Sequence, residues 1–430
     1  MTRPEPAPLE GERAGSAPLL RSRDFLLLLG GQTVGELGFR VSGVAVPLLA
    51  ASTLKADVFE IALLTFLTWL PYLLFSLPAG MIVDRVDLRK LMILCDVVRM
   101  ALMLSLPPAG FAGWLTLWYL YVVVGVCGVF TVLFNVAYKS VLPRLVRPER
   151  LVDANAKLAM GQDSAELAGP AVGGALIDLI GTAKTFLANG LTFLVSALTL
   201  WLIRLPQERS GGTARERTFE RTSVRAEMTQ GLTFIGSRPV LRAILACTTT
   251  SNFFVIAKNS IEVTFLVREL HASSVGVGLV FSVSAVGGVA AGAVAARLSA
   301  WIGAARVIWV AMTVPGPLYL LMPLAGQGRG LLLYGLGLAA FAANAGLYNI
   351  AANSYQQHIT PSHLLGRVNA AFMWICLGVI PFGALFGGLL GSWLGLRTAL
   401  WICVLGVWSA ALFVLFSPLR GMRDMPAEGS

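Results

Sequence analysis

The amino-acid sequence predicts an all-α integral membrane protein, with twelve spanning helices in two parallel six-helix repeats. Three observations carry that prediction. The 430-residue chain is 56% hydrophobic and 13% charged, with a mean hydropathy of +0.74, whereas a soluble domain carries about 25% charged residues to cover its surface. Its Lys and Arg residues gather in alternate gaps between apolar blocks. A pattern of residues also recurs at one fixed offset along the chain. The first observation alone excludes an aqueous globule, a disordered chain and a secreted disulfide scaffold.

Lipid offers a backbone no hydrogen-bond partners, so a chain this apolar crosses the membrane as helices of about 20 residues. Twelve blocks reach or approach that length: 25–50, 61–83, 91–106, 114–138, 159–180, 185–203, 243–267, 275–296, 307–324, 331–352, 368–394 and 398–416. The first begins at Phe25 and is too long for the apolar core of a signal peptide, so it reads as a span. The third is short and holds Asp96 and Arg99, which makes it the weakest on hydropathy.

Lys and Arg number 24 in the gaps on the side of the termini and five in the gaps opposite, with four more in or near spans. That excess marks the cytoplasmic side, so both termini are expected inside. The layout follows: a tail over 1–24, a six-helix bundle over 25–203, a cytoplasmic central segment over 204–242, a second bundle over 243–418 and a tail over 419–430. The same distribution explains the net charge of +10 with a lipid bilayer as partner and no nucleic acid. Cys95, Cys127, Cys247, Cys376 and Cys403 fall inside apolar blocks at no regular spacing. They read as small buried hydrophobes, with neither a disulfide framework nor a metal site; no cofactor is expected.

The repeat fixes the symmetry. Phe134-Asn135-Val136-Ala137-Tyr138-Lys139-Ser140 recurs 214 residues later as Tyr348-Asn349-Ile350-Ala351-Ala352-Asn353-Ser354. The same shift carries Asn155-Ala156 onto Asn369-Ala370, Gly169 onto Gly383, Gly173-Gly174 onto Gly387-Gly388 and Gly181 onto Gly395. Six spans per half is an even number, so the halves insert the same way round. Parallel repeats of this kind place a substrate path at their interface, near the bilayer midplane.

Between the second and third spans runs Gly80-Met81-Ile82-Val83-Asp84-Arg85-Val86-Asp87-Leu88-Arg89-Lys90. Gly80 would let neighbouring helix backbones approach closely. Asp84 can oppose a helix N-terminus, and Arg85, Arg89 and Lys90 suit an anionic cytoplasmic surface. This loop resembles the signature of the major facilitator superfamily, Gly-x3-Asp-Arg/Lys-x-Gly-x-Arg/Lys-Arg/Lys, departing once with Asp87 at the second glycine. Gly169-Pro170-Ala171-Val172-Gly173-Gly174 resembles the end of that family's antiporter motif, a helix-packing element associated with exporters, although its upstream glycines are missing. The stretch from Phe134 to Gly181, with Gly366-Arg367-Val368, is most similar to the branch of macrolide-efflux and enterobactin exporters. The resemblance covers roughly residues 23–418. It implies a monomeric secondary transporter of the bacterial inner membrane, and it places the loop motif, Asp84 above all, at a cytoplasmic gate. Asp96 and Arg99 resemble an Asp-x2-Arg pattern of the branch that braces this gate.

Ionised groups inside the bilayer cost about 2.5–3.5 kcal/mol each on insertion scales, so each is a functional candidate. In the first span Gln32, Thr33, Glu36, Arg40 and Gly43 share one ~100° arc, facing the expected central cavity. Glu36 is the only carboxylate well inside this span. Desolvation favours its neutral form, which suits a proton carrier; Arg40, four residues on, could instead lock it in a structural ion pair. In the fifth span Gln162, Asp163, Glu166 and Gly173 share a second arc, read either as cavity wall or as a solvated helix start. Thr248, Ser251, Asn252, Lys258, Asn259 and Glu262 form a third on the seventh, where Lys258 and Glu262 could simply pair.

The expected function is a proton-coupled exporter, an antiporter, of a small amphiphilic molecule such as a drug or macrolide. A siderophore or metabolite exporter, or an importer, is the alternative within the same fold. A membrane enzyme would need a constellation such as His-Glu-x2-His; the only histidines, His271, His358 and His363, show no such spacing, and no nucleotide-binding loop occurs. A receptor that has lost transport is disfavoured by the intact intramembrane acids.

Overall fold

The computed structural model describes residues 19, 22–83, 85–147, 150–203, 224–361 and 364–423. Asp84 lies outside the described residues, as do most of both tails and about half of the central segment. Six helices build the first half: α1 Arg23–Leu48, α2 Val58–Val83, α3 Leu88–Phe111, α4 Leu117–Leu145, α5 Leu151–Ile180 and α6 Thr182–Leu202. A short helix, α7 Val224–Ser237, follows within the central segment, where the sequence suggested only loop. The second half comprises α8 Pro239–Arg268, α9 Ser274–Ile302, α10 Ala304–Thr313, α11 Gly316–Tyr319, α12 Leu321–Leu324, α13 Gly330–Ile359, α14 Leu365–Gly378, α15 Ile380–Leu394, α16 Leu396–Ser409 and α17 Ala411–Leu415. Three spans are therefore broken: the ninth (α10 to α12), the eleventh (α14, α15) and the twelfth (α16, α17).

Local chemistry sets these boundaries. Asp57 and Glu60 form a capping box at the start of α2, each carboxylate accepting the other's backbone N–H at 2.7 Å. Thr116 and Ser273 cap α4 and α9 through their hydroxyls. A single residue, Gly181, separates α5 from α6 at φ +82°, and Gly395 separates α15 from α16 at the same angle. Only glycine adopts such an angle without steric cost. In the ninth span Pro315 and Pro317 interrupt the ladder, and the Thr313 carbonyl, which Pro317 leaves without a helical donor, accepts from Trp408 Nε1 at 3.2 Å.

Among the described residues, eleven helical stretches are long and apolar enough to cross a membrane. Of the twelve expected spans, α5 is the one that falls short of that measure; its 30 residues include Gln162, Asp163 and Glu166. The weakest span on hydropathy is thus the fifth. The third passes because α3 extends beyond the apolar block at both ends. Packing explains the polar content of α5, which lies between α1 and α9.

The repeat-related glycines show how the halves assemble. Gly169 and Gly173 seat α5 on α1, where a Cβ on Gly169 would overlap the Arg40 side chain and one on Gly173 would lie 3.3 Å from Val41 Cα. Gly383 and Gly387 seat α15 on the α8 backbone at Phe253 and Ala257 in the same manner. Their neighbours face across the interface: Gly174 meets Ser274 and Gly278 of α9, and Gly388 meets Phe59 and Ala62 of α2. Each glycine cluster thus performs one task within its half and one between halves. Polar contacts reinforce this seam. Arg268 Nη2 donates to the Ala56 carbonyl at 2.5 Å, the Val275 N–H to Asp178 Oδ2 at 3.2 Å and Ser282 Oγ to the Leu167 carbonyl at 3.1 Å. The seam runs from the end of the molecule opposite the termini to about mid-helix.

Candidate transport site

On the termini side of that seam lies a cavity of about 1050 Å³, walled by both halves. Phe39, Trp69, Tyr72, Phe281 and Phe341 give it aromatic surfaces. Asn135 of the repeated segment donates from Nδ2 to Tyr72 Oη at 2.9 Å, while its counterpart Asn349 lines the cavity directly. The repeated segment therefore contributes to the wall in both halves, by two routes.

The first half supplies a shared cation. Arg40 Nε lies 2.9 Å from Glu36 Oε1, and Arg40 Nη2 lies 3.2 Å from Glu166 Oε2. Side-chain exposure is 19% for Glu36 and 58% for Glu166, so the cavity reaches Glu166 first. The ion pair read from the spacing of Glu36 and Arg40 does form, and Glu166 competes for the same guanidinium. Asp163 is exposed on the same wall. Gln32 is buried, and neither it nor Glu36 reaches the wall. The polar arc of α1 is thus split by depth, since only its Arg40 end meets the cavity.

The second half holds a sealed pair. Lys258 Nζ lies 2.5 Å from Glu262 Oε2, and Tyr334 Oη donates to Glu262 Oε1 at 2.7 Å. Both charged side chains are almost fully buried at the cavity edge. Tyr334 has no signature in the sequence, being 72 residues from its partner. Asn259 is exposed on the wall, whereas Asn252 is absent from it. Thr248 turns away to Tyr348 Oη at 2.8 Å.

The remaining candidates are structural in placement. Asp96 and Arg99 pair within α3, and the guanidinium lies between the rings of Phe134 at 4.4 Å and Phe193 at 4.7 Å. This cation–π sandwich ties α3 to α4 and α6; Phe193 also lines the cavity, whereas Asp96 and Arg99 do not reach it. Arg89 donates to the carbonyls of Leu200, at 3.0 Å from Nε, and of Trp201, capping the C-terminus of α6. Asp87, the departure from the signature, is the N-cap of α3 and accepts the Lys90 backbone N–H at 3.2 Å. Arg85 is exposed. Gly80 corrects an expectation: a Cβ there would meet nothing within 4 Å, so no helix backbone approaches it. The termini-side end of α2 stands clear of its neighbours at that point. Gly292, on the cavity wall, has the same open surroundings. Among the described residues, no group of three or more His, Cys, Asp or Glu could hold a metal ion.

The chain is 26% identical over 398 residues to the uncharacterised MFS-type transporter YfiS of Bacillus subtilis (strain 168), covering 90% of this chain and 91% of that protein. It is 24% identical over 238 residues to macrolide efflux protein A of Streptococcus pyogenes, 55% of this chain and 57% of that protein. Among solved structures, a bacterial homologue of the iron transporter ferroportin in an inward-facing state aligns with a TM-score of 0.73 at 15% identity, over 93% of this chain and 99% of that one. A bacterial homologue of the human lysosomal transporter Spinster, inward-facing and unoccupied, aligns at 0.71 and 17%, over 93% and 97%. These two likenesses carry the fold alone. The sequence profile of the Major Facilitator Superfamily matches residues 28–381, and with paired six-helix halves around one central cavity the chain belongs to that superfamily of membrane transporters.

Proposed function

We propose that the protein is a secondary exporter of small cationic amphiphiles, exchanging them for protons by alternating access. The observation that carries this reading is the placement of Arg40 and Glu166 on an aromatic-lined cavity of about 1050 Å³, with Glu36 paired to Arg40 behind the wall. Aromatic faces accept apolar bodies and cations alike. A cationic group arriving from the cavity competes with Arg40 for the exposed Glu166. Arg40 is then left to Glu36 alone, and in the exchange a proton leaves the site as the cation enters. The Lys and Arg distribution favours cytoplasmic termini, so the cavity faces the side from which an exporter loads. The partial likeness to macrolide efflux protein A supports the same direction.

The test is a growth screen of a susceptible bacterium expressing the chain, against a panel of macrolides, cationic dyes and neutral antibiotics. Raised tolerance to cationic amphiphiles, abolished by a protonophore, is the expected result. Tolerance confined to neutral or anionic compounds would overturn the substrate class. Tolerance that survives collapse of the proton gradient would overturn the coupling.

A further inference from the structure

We propose that a groove between α8 and α17 binds one phospholipid with an anionic headgroup, in the leaflet on the termini side. The groove encloses about 780 Å³ and is separate from the central cavity. Ala243 and Ala246 form its floor on α8, and Leu412, Phe413 and Phe416 its opposite wall. These small residues on α8 leave open a volume that larger side chains would fill. The α8 wall runs from Pro239 to Thr250, about 17 Å at 1.5 Å per residue. That is about half of a 30 Å hydrocarbon core, the depth of one leaflet.

Charge selects the occupant. Arg242 stands at the mouth of the groove, exposed, and makes no side-chain hydrogen bond or ion pair among the described residues. Arg238, one turn back, and Arg420, just beyond the end of α17, are also exposed. No carboxylate lines the groove. An arginine fork matches phosphate oxygens in geometry and charge, and basic pockets between helices on the cytoplasmic side suit anionic headgroups. An acyl chain fills the apolar wall below. The leaflet assignment rests on the reading that the termini are cytoplasmic.

Native mass spectrometry of the full-length protein tests this with phosphatidylglycerol against phosphatidylcholine. One phosphatidylglycerol should be retained in preference. Arg242→Gln should weaken that retention about fivefold, the factor that about 1 kcal/mol per surface arginine gives, and Arg242→Lys should restore most of it. Ala246→Leu should weaken retention of both lipids by filling the floor, which keeps the proposal testable if Arg242→Gln folds poorly. A preference that survives Arg242→Gln, or retention unchanged in Ala246→Leu, overturns the proposal. So does displacement of the lipid by inorganic phosphate, which would mark a site for a soluble anion. The readout is binding, so its failure leaves the transport reading standing.

Discussion

Arg40 is the residue on which the candidate site turns, because two carboxylates on different helices share it. Glu36→Gln removes a titratable group while preserving size and hydrogen bonding. In proteoliposomes that variant should still exchange substrate for substrate, yet fail to build a gradient when a pH difference is imposed. Coupled uphill efflux at the native rate would move the proton to Glu166 or Asp163. Asp87 offers a stability test, since it replaces a family glycine and caps α3. Asp87→Ala should cost about 1 kcal/mol, seen as a lowered melting temperature that Asp87→Asn largely recovers; no change would deny the cap. At this scale the sequence is legible where partners lie one helical turn apart. Glu36 with Arg40 and Lys258 with Glu262 both follow from the i, i+4 rule. Tyr334, the second partner of Glu262, and Phe134 with Phe193, around Arg99, come from other helices, and nothing in helical periodicity names them. Asn252 shows the converse limit: an arc on a helical wheel does not say how much of the arc reaches the cavity.

Between whole helices, the glycines of the repeat have the clearest mechanical meaning. The atoms nearest a Cβ on Gly174 belong to the opposite half, at Ser274 and Gly278. A methyl group there meets backbone, which cannot swing aside as a side chain can. Gly174→Ala should therefore weaken the seam and raise the population open on the far side. Cysteine placed at Ala62, buried opposite Gly388, reads that opening: its labelling by an impermeant thiol reagent from outside should accelerate severalfold in the Gly174→Ala background. An unchanged rate would mean that this contact does not govern closure. The equivalence of the two clusters, and of the turns at Gly181 and Gly395, was readable from the 214-residue offset alone. The breaks in the ninth, eleventh and twelfth spans were not, because hydropathy is blind to a ladder interrupted inside an apolar block. Nor was α7, whose short amphipathic pattern lies in a segment dominated by charge.

For the molecule as a whole, a seam on one side and a cavity on the other fix which side can reach the interior. Cys127 lies on the cavity wall and is half-buried. A bulky maleimide should reach it from the termini side and block transport, and bound substrate should protect it. Phe111, 87% exposed at the end of α3, marks the other face: a cysteine there, with Cys127 replaced by Ser, should react only with reagent added outside. Labelling of both from one side would overturn their placement on opposite faces, and labelling from exchanged sides would reverse the orientation.

The shared arginine also has an electrical meaning. Two carboxylates and one guanidinium, all ionised, leave one net negative charge, and either a proton or a monovalent cation neutralises it. A carrier that returns with one after leaving with the other moves no net charge through the bilayer. A membrane potential, worth about 2.3 kcal/mol per charge at 100 mV, would find nothing to pull. Efflux should then ignore an imposed potassium diffusion potential and respond only to the pH difference. A gradient built by voltage alone would require a second proton per cycle, and Asp163, exposed on the same wall, is the group positioned to carry it.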